Sequence, residues 1–305
     1  MKKTYIMGAV FALSAAILNG TVGIFSKGSF QSNLTPAGVS FYKCLIAFVF
    51  ISILALGNKT LRTNIIRLKS KIKHILLCSF LGIFVLYFFE TTAYKYESVS
   101  FVVFILLGSS VLTTFIFSSI LLKEIKRKYQ YIGLVLLLIG LFIMHFSEGD
   151  IHGGSIGTAL AAIAGIGYGL FLVFTKKFAL DGDLALIWYL MLFGSFYLFL
   201  PFYKEGFVWP SLGSVPSLMG LAILPTIGGF YCTTKALNYL EANKVQFFEL
   251  TEPVFATIFA FILLKEFVQG LEWLGAFFIL VAIYLSEYKP KHKIELESHD
   301  HQQTL

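Results

Sequence analysis

Apolar residues run through this chain in long stretches, broken at intervals by short clusters of Lys, Gly, Pro or Asn. A stretch of roughly 17–25 apolar residues is long enough to cross the hydrocarbon core of a bilayer as a helix. Ten such stretches lie near residues 5–26, 36–56, 74–94, 99–121, 129–146, 155–175, 184–203, 216–239, 244–264 and 270–287. The first follows Met1-Lys2-Lys3 and runs to about Ser26, and further spans come after it, so it reads as a span rather than a cleaved signal peptide. The polar stretch from Lys289 to Leu305 reads as a disordered tail.

The spans also repeat. Leu121-Leu122-Lys123-Glu124 returns as Leu263-Leu264-Lys265-Glu266, a shift of 142 (263 − 121), and Gly133 and Gly275 stand at the same shift. Near the start of each half, Gly8, Ala12, Ala16 and Gly20 are answered by Gly157, Ala161, Gly165 and Gly169. Small residues at every fourth position form a groove along one helix face, where a neighbouring backbone can approach closely. The pattern predicts an all-α membrane protein of ten transmembrane helices. Residues 5–146 form one five-helix unit, 154–287 a second, and 288–305 a cytoplasmic disordered tail. Five is odd, so the second unit crosses the bilayer upside down relative to the first: an inverted-topology repeat.

Composition agrees with the pattern. The chain is 57% hydrophobic and 13% charged, and its 33 Phe exceed what one water-soluble core of 305 residues can hide. Cys44, Cys78 and Cys232 lie inside apolar runs without paired spacing, which suggests neither a disulfide framework nor a zinc site. The net charge of +7 points to topology rather than to nucleic acid. With the N-terminus in the cytoplasm, eighteen of the 24 Lys and Arg fall in inner segments. Only Lys27, Lys95, Lys204 and Lys265 fall in outer ones. That asymmetry predicts a multi-pass protein of the cytoplasmic (inner) membrane with both termini cytoplasmic.

Several local sequences carry a family resemblance. They are Asn19-Gly20 through Lys27 at the end of span one, and Tyr168-Gly169 through Lys176 at its counterpart. Phe41-Tyr42-Lys43, Glu252-Pro253-Val254-Phe255 and the two Leu-Leu-Lys-Glu ends complete the set. On these residues the chain resembles the EamA type of the drug/metabolite transporter superfamily, over about residues 5–287. The resemblance implies ten helices, two EamA repeats and a central substrate cavity built from both halves. It also implies solutes drawn from amino acids, nucleosides, drugs and other metabolites. The chain departs from the family pattern at Asn19, where Trp is usual, at Lys43, where Arg is usual, and at Ser110-Val111, where Ser-Pro is usual.

Ionisable groups inside spans are costly and therefore candidates for function. Here they are Lys43, Glu90, Lys235, Glu249 and Glu252. Spans eight and nine turn near Glu241-Ala242, which puts Lys235 and Glu249 at similar depth. Glu249 and Glu252, three apart, share a helix face, so a Lys–Glu–Glu cluster is geometrically easy. Pro253 removes one N–H and clashes with the carbonyl of Glu249, which predicts a kink beside the acidic pair. The substrate-binding or coupling candidates are Asn19, Glu90, Tyr168, Lys235, Glu249 and Glu252. Each has a plainer reading. Lys235 and Lys43 can snorkel to the interface, Glu249 and Glu252 can form a structural ion pair, and Glu90 can be interfacial. Asn19 and Tyr168 can simply bond neighbouring helices. Phe84, Phe88, Phe89, Phe247, Phe248 and Phe255 either line an apolar cavity or face lipid.

Buried groups of both signs within a duplicated scaffold predict a secondary active transporter. Its expected cargo is a small organic metabolite, amino-acid-like or related, moved by alternating access, with export favoured and proton coupling available to a buried carboxylate. The expected partners are that solute and the lipid bilayer, with no nucleic acid, no cofactor and no metal, in a monomer or homodimer. A membrane-embedded enzyme is the first alternative. Gly108-Ser109-Ser110 offers a hydroxyl, but no His within a span serves it as base. A channel or receptor is the second, and its continuous polar pore does not fit polar groups that occur as islands.

Overall fold

The computed structural model describes residues 2–30, 33–126, 128–147, 154–180, 183–265 and 270–287. The expected tail, 288–305, and Glu266 lie outside the described residues. Among those residues the structure is helical, with no strand. In chain order the rods are α1 (Thr4–Phe30), α2 (Pro36–Gly57), α3 (Lys59–Ala93), α4 (Val99–Leu121), α5 (Lys128–Ser147), α6 (Ile156–Lys177), α7 (Leu184–Glu205), α8 (Val215–Tyr239), α9 (Ala242–Leu264) and α10 (Glu272–Glu287). Among the described residues, eight of them (α1–α4 and α6–α9) are long and apolar enough to cross a membrane. This is a multi-pass membrane protein.

Local chemistry sets the ends of the rods. Pro36 opens α2, and the Thr35 hydroxyl accepts from the Gly38 N–H at 3.1 Å. Ser98 caps α4 through the Phe101 N–H at 3.3 Å. Each such bond satisfies an N–H that the first helical turn leaves without a partner. Asn58 does the same for α3, accepting from the Leu61 N–H at 3.0 Å. That helix therefore starts fifteen residues ahead of the span expected at 74 (74 − 59), and the basic stretch Lys59–Lys73 is helical up to a 3₁₀ turn at Lys69–Lys71.

Both copies of the duplicated tetrapeptide end a helix in the same way. Lys123 follows α4 at φ 55° and Lys265 follows α9 at φ 56°, both left-handed. The wide turns repeat as well. Phe80–Val85 in α3 and Ala222–Gly229 in α8 are π-helical and begin 142 residues apart (222 − 80). Such turns recur at functional sites in other helices.

The small-residue stripes lie where two halves meet. A Cβ on Gly165 of α6 would stand 2.1 Å from the Leu106 carbonyl oxygen of α4, and one on Gly169 would stand 2.7 Å from that of Ser110. In α1, a Cβ on Gly8 would meet Leu240 at 2.6 Å, and one on Gly20 would meet the Ala256 nitrogen of α9 at 3.0 Å. Thus α1 packs on α8 and α9, while α6 packs on α3 and α4. Pairing of α2 with α7 and of α5 with α10 completes the arrangement. The first helix of each unit is seated in the other unit.

Candidate functional site

Six helices line a small cavity. Its wall comprises Asn19 and Val22 of α1, Leu86, Tyr87 and Glu90 of α3, Leu106 and Leu107 of α4, Tyr168 of α6, Pro225 and Phe230 of α8, and Glu252 of α9. Three of the helices come from each unit. The cavity holds about 30 Å³, room for a water or two but not for a metabolite. Phe230 sits between two phenol rings, 5.5 Å from Tyr87 and 6.3 Å from Tyr168 by ring centroid.

Glu90 anchors one side. Its carboxylate lies 3.9 Å from the Lys43 ammonium and accepts from the Tyr94 hydroxyl at 3.2 Å. Lys43 is 1% exposed, and its Nζ lies 3.5 Å from the centre of the Tyr87 ring. It does not snorkel. It is held behind the cavity wall by a carboxylate and an aromatic face, both of which stabilise a desolvated cation.

Glu252 stands on the other side, in the first turn of the C-terminal part of α9. Asn19 hydrogen-bonds its carboxyl. The amide has space because residue 229 is Gly: a Cβ there would lie 2.0 Å from Asn19 Oδ1. The helix is interrupted at Leu250 and Thr251, where Thr251 N–H bonds Phe248 and Val254 N–H bonds Thr251 in tight 3₁₀ fashion. Pro253 supplies no N–H for the Glu249 carbonyl, so the predicted kink takes the form of a break with a new helix start. A carboxylate in a first helical turn faces the positive end of the helix dipole.

Glu249 has a different environment. It is fully buried and accepts from the Tyr168 hydroxyl at 2.8 Å and from the Thr233 hydroxyl at 2.5 Å. These bonds tie α6, α8 and α9 together beside the cavity. Lys235 does not join them. It is half-buried, with its ammonium 5.8 Å from the Tyr231 ring centre, and among the described residues it makes no ion pair.

The structure therefore brings Asn19, Glu90, Tyr168 and Glu252 to one cavity, keeps Glu249 just behind it and leaves Lys235 outside. Tyr87, Phe230 and the supporting cation Lys43 complete the site. The Lys43–Glu90 pair had a signal in the sequence, since both residues lie toward the same end of neighbouring spans. None of Phe84, Phe88, Phe89, Phe247, Phe248 and Phe255 lines the cavity.

A solved crystal structure of a protein resembles this one with a TM-score of 0.71 over 92% of this chain and 96% of its own. At 15% identity it shows the fold alone. No curated protein matches the chain. The EamA-like transporter family matches residues 6–146 and again 155–288. Two consecutive matches spanning nearly all the helices make this chain a member of the EamA-like transporter family, within the drug/metabolite transporters.

Proposed function

We propose that the protein carries a small, amine-bearing organic solute, amino-acid-like in size, across the cytoplasmic membrane by alternating access. The observation that carries this reading is a small cavity, walled by three helices from each unit, that presents Glu90 and Glu252. Glu90 already has Lys43. Glu252 has an amide neighbour and, among the described residues, no cation, so it is free to hold either a proton or the ammonium of a solute. Exchange of one for the other couples transport to protons.

Support for the inverted arrangement of ten spans comes from the odd number of helices per unit and from the reciprocal seating of α1 and α6 in the opposite unit. The cation asymmetry supports cytoplasmic termini. Because the cavity is far smaller than a metabolite, the walls separate to admit the solute, first toward one side and then toward the other.

The test is uptake of radiolabelled amino acids and amines into vesicles of purified protein under an imposed pH gradient. Glu252→Gln is expected to abolish the dependence on the gradient. Unchanged proton-driven uptake by this variant overturns the coupling role.

A further inference from the structure

Four buried polar residues follow one another on α9 at intervals of three: Asn243, Gln246, Glu249 and Glu252. In a regular α-helix this interval drifts around the axis, because a turn takes 3.6 residues. The 3₁₀ bonds at Thr251 and Val254 tighten the helix between the last two and reduce that drift. Ser110 of α4 donates to Gln246 at 2.9 Å, and Tyr168 and Thr233 donate to Glu249. The remaining polar atoms, both of the Asn243 amide and Nε2 of Gln246, are buried and have no partner among the described residues. Buried amides without partners are costly in a resting structure, and an apolar side chain would pack there at no such cost.

The row has two defined ends. At one end Glu252 forms part of the cavity wall. At the other, beside Asn243, the Ala242 N–H donates to Glu124 at 3.0 Å, a contact between the two units. Glu124 is steadied by Lys126, 3.3 Å away, which also donates to the Ser118 hydroxyl at 2.6 Å. Burial holds the Lys126 ammonium below the usual lysine range, and the Glu124 carboxylate opposes that shift. Lys176 of α6 donates to the Leu237 carbonyl at 2.7 Å and to that of Leu240, closing the end of α8 on the same side.

We propose that Asn243, Gln246 and Glu249 line the aqueous path between the cavity and the Lys2 end of the bundle, and that Glu124 and Lys176 latch this path shut. This rests on the transporter reading above. When the latch releases, water enters along α9 and supplies partners to the unpartnered amides. The proton or solute at Glu252 then exchanges along the same face. When the latch closes, those amides lose their partners, so the closed form carries a built-in tendency to reopen.

The experiment uses full-length protein carrying Asn243→Cys and a small cationic methanethiosulfonate as probe, with the unsubstituted protein as reference for Cys44, Cys78 and Cys232. The expected result is slow labelling that Glu124→Gln and Lys176→Gln each accelerate by about tenfold or more. A cysteine at Ser79, buried against α7 and off the path, serves as control and is expected not to change. Equal labelling at residue 243 with and without the latch substitutions overturns the proposal. A second variant, Asn243→Leu, removes the unpartnered amide. It is expected to raise the thermal midpoint while slowing transport about tenfold or more, and a rise in stability with unchanged transport also overturns the proposal. Failure of the transporter reading appears separately, as no solute uptake by the unsubstituted protein.

Discussion

Glu249 and Glu252 stand three residues apart, yet their surroundings give them different work. Glu249 has two hydroxyl donors from two other helices, so it holds helices together. Tyr168→Phe removes one of those donors and is expected to cost about 1.5–3 kcal/mol, the usual worth of a hydrogen bond to a charged group, read as a lower thermal midpoint in detergent. Glu252→Gln is expected to leave that midpoint nearly unchanged. The sequence put the two carboxylates on one helix face, because helical spacing can be counted, and it named Asn19 and Tyr168 as candidates without placing them beside those carboxylates. It could not place Lys235. That residue has the right depth but lies two positions from Thr233, about 200° around a helix of 3.6 residues per turn, and so points away from Glu249. Depth was legible; azimuth was not. Gly229 shows a related limit, since a missing side chain announces nothing until Asn19 is seen occupying its space. Gly229→Ala is expected to displace Asn19 and weaken solute binding without unfolding the protein, measured by solute-induced thermal shift of the purified variant.

The helices themselves were the most legible level. Apolar length gave the spans, and the stripes of small residues gave two of the tightest contacts, because only a residue without Cβ lets α6 lie against carbonyls of α4. Gly165→Ala is expected to force these helices apart at a cost of about 1–3 kcal/mol, and an unchanged thermal midpoint would contradict so close a contact. The π turns in α3 and α8 were not legible, since one extra residue per turn leaves no mark on a run that is apolar all round. Pro253, by contrast, was visible and its effect was understated: it starts a new helix rather than bending an old one. Restoring the missing N–H with Pro253→Ala is expected to join the two parts of α9, preserve or raise stability, and reduce the transport rate.

At the level of the whole molecule, two EamA matches share a scaffold while differing in charge. The repeat partner of Glu252 is Ser110, so this cavity carboxylate has no counterpart at the matching position of the other unit. Opposite orientation of the units has a direct check. Cysteines placed at the exposed Lys123 and Lys265 are expected to react with an impermeant thiol reagent from opposite sides of sealed vesicles, and reaction from the same side would refute an inverted repeat.

Those two lysines carry one more consequence. Each holds a left-handed backbone that a residue with a side chain adopts at a cost of about 1–2 kcal/mol, and each does so at the same place in its unit. The chain thus contains a duplicate measurement with its own internal control. Lys123→Gly and Lys265→Gly relieve the same strain in the same motif, so any difference between their effects on unfolding reports the neighbourhood alone. One helix end sits beside the Glu124 contact that joins the two halves, while the other belongs to the helix broken beside the cavity. The motif stands in duplicate, and the discrepancy between the copies would measure how unequally the two halves of the molecule are fastened.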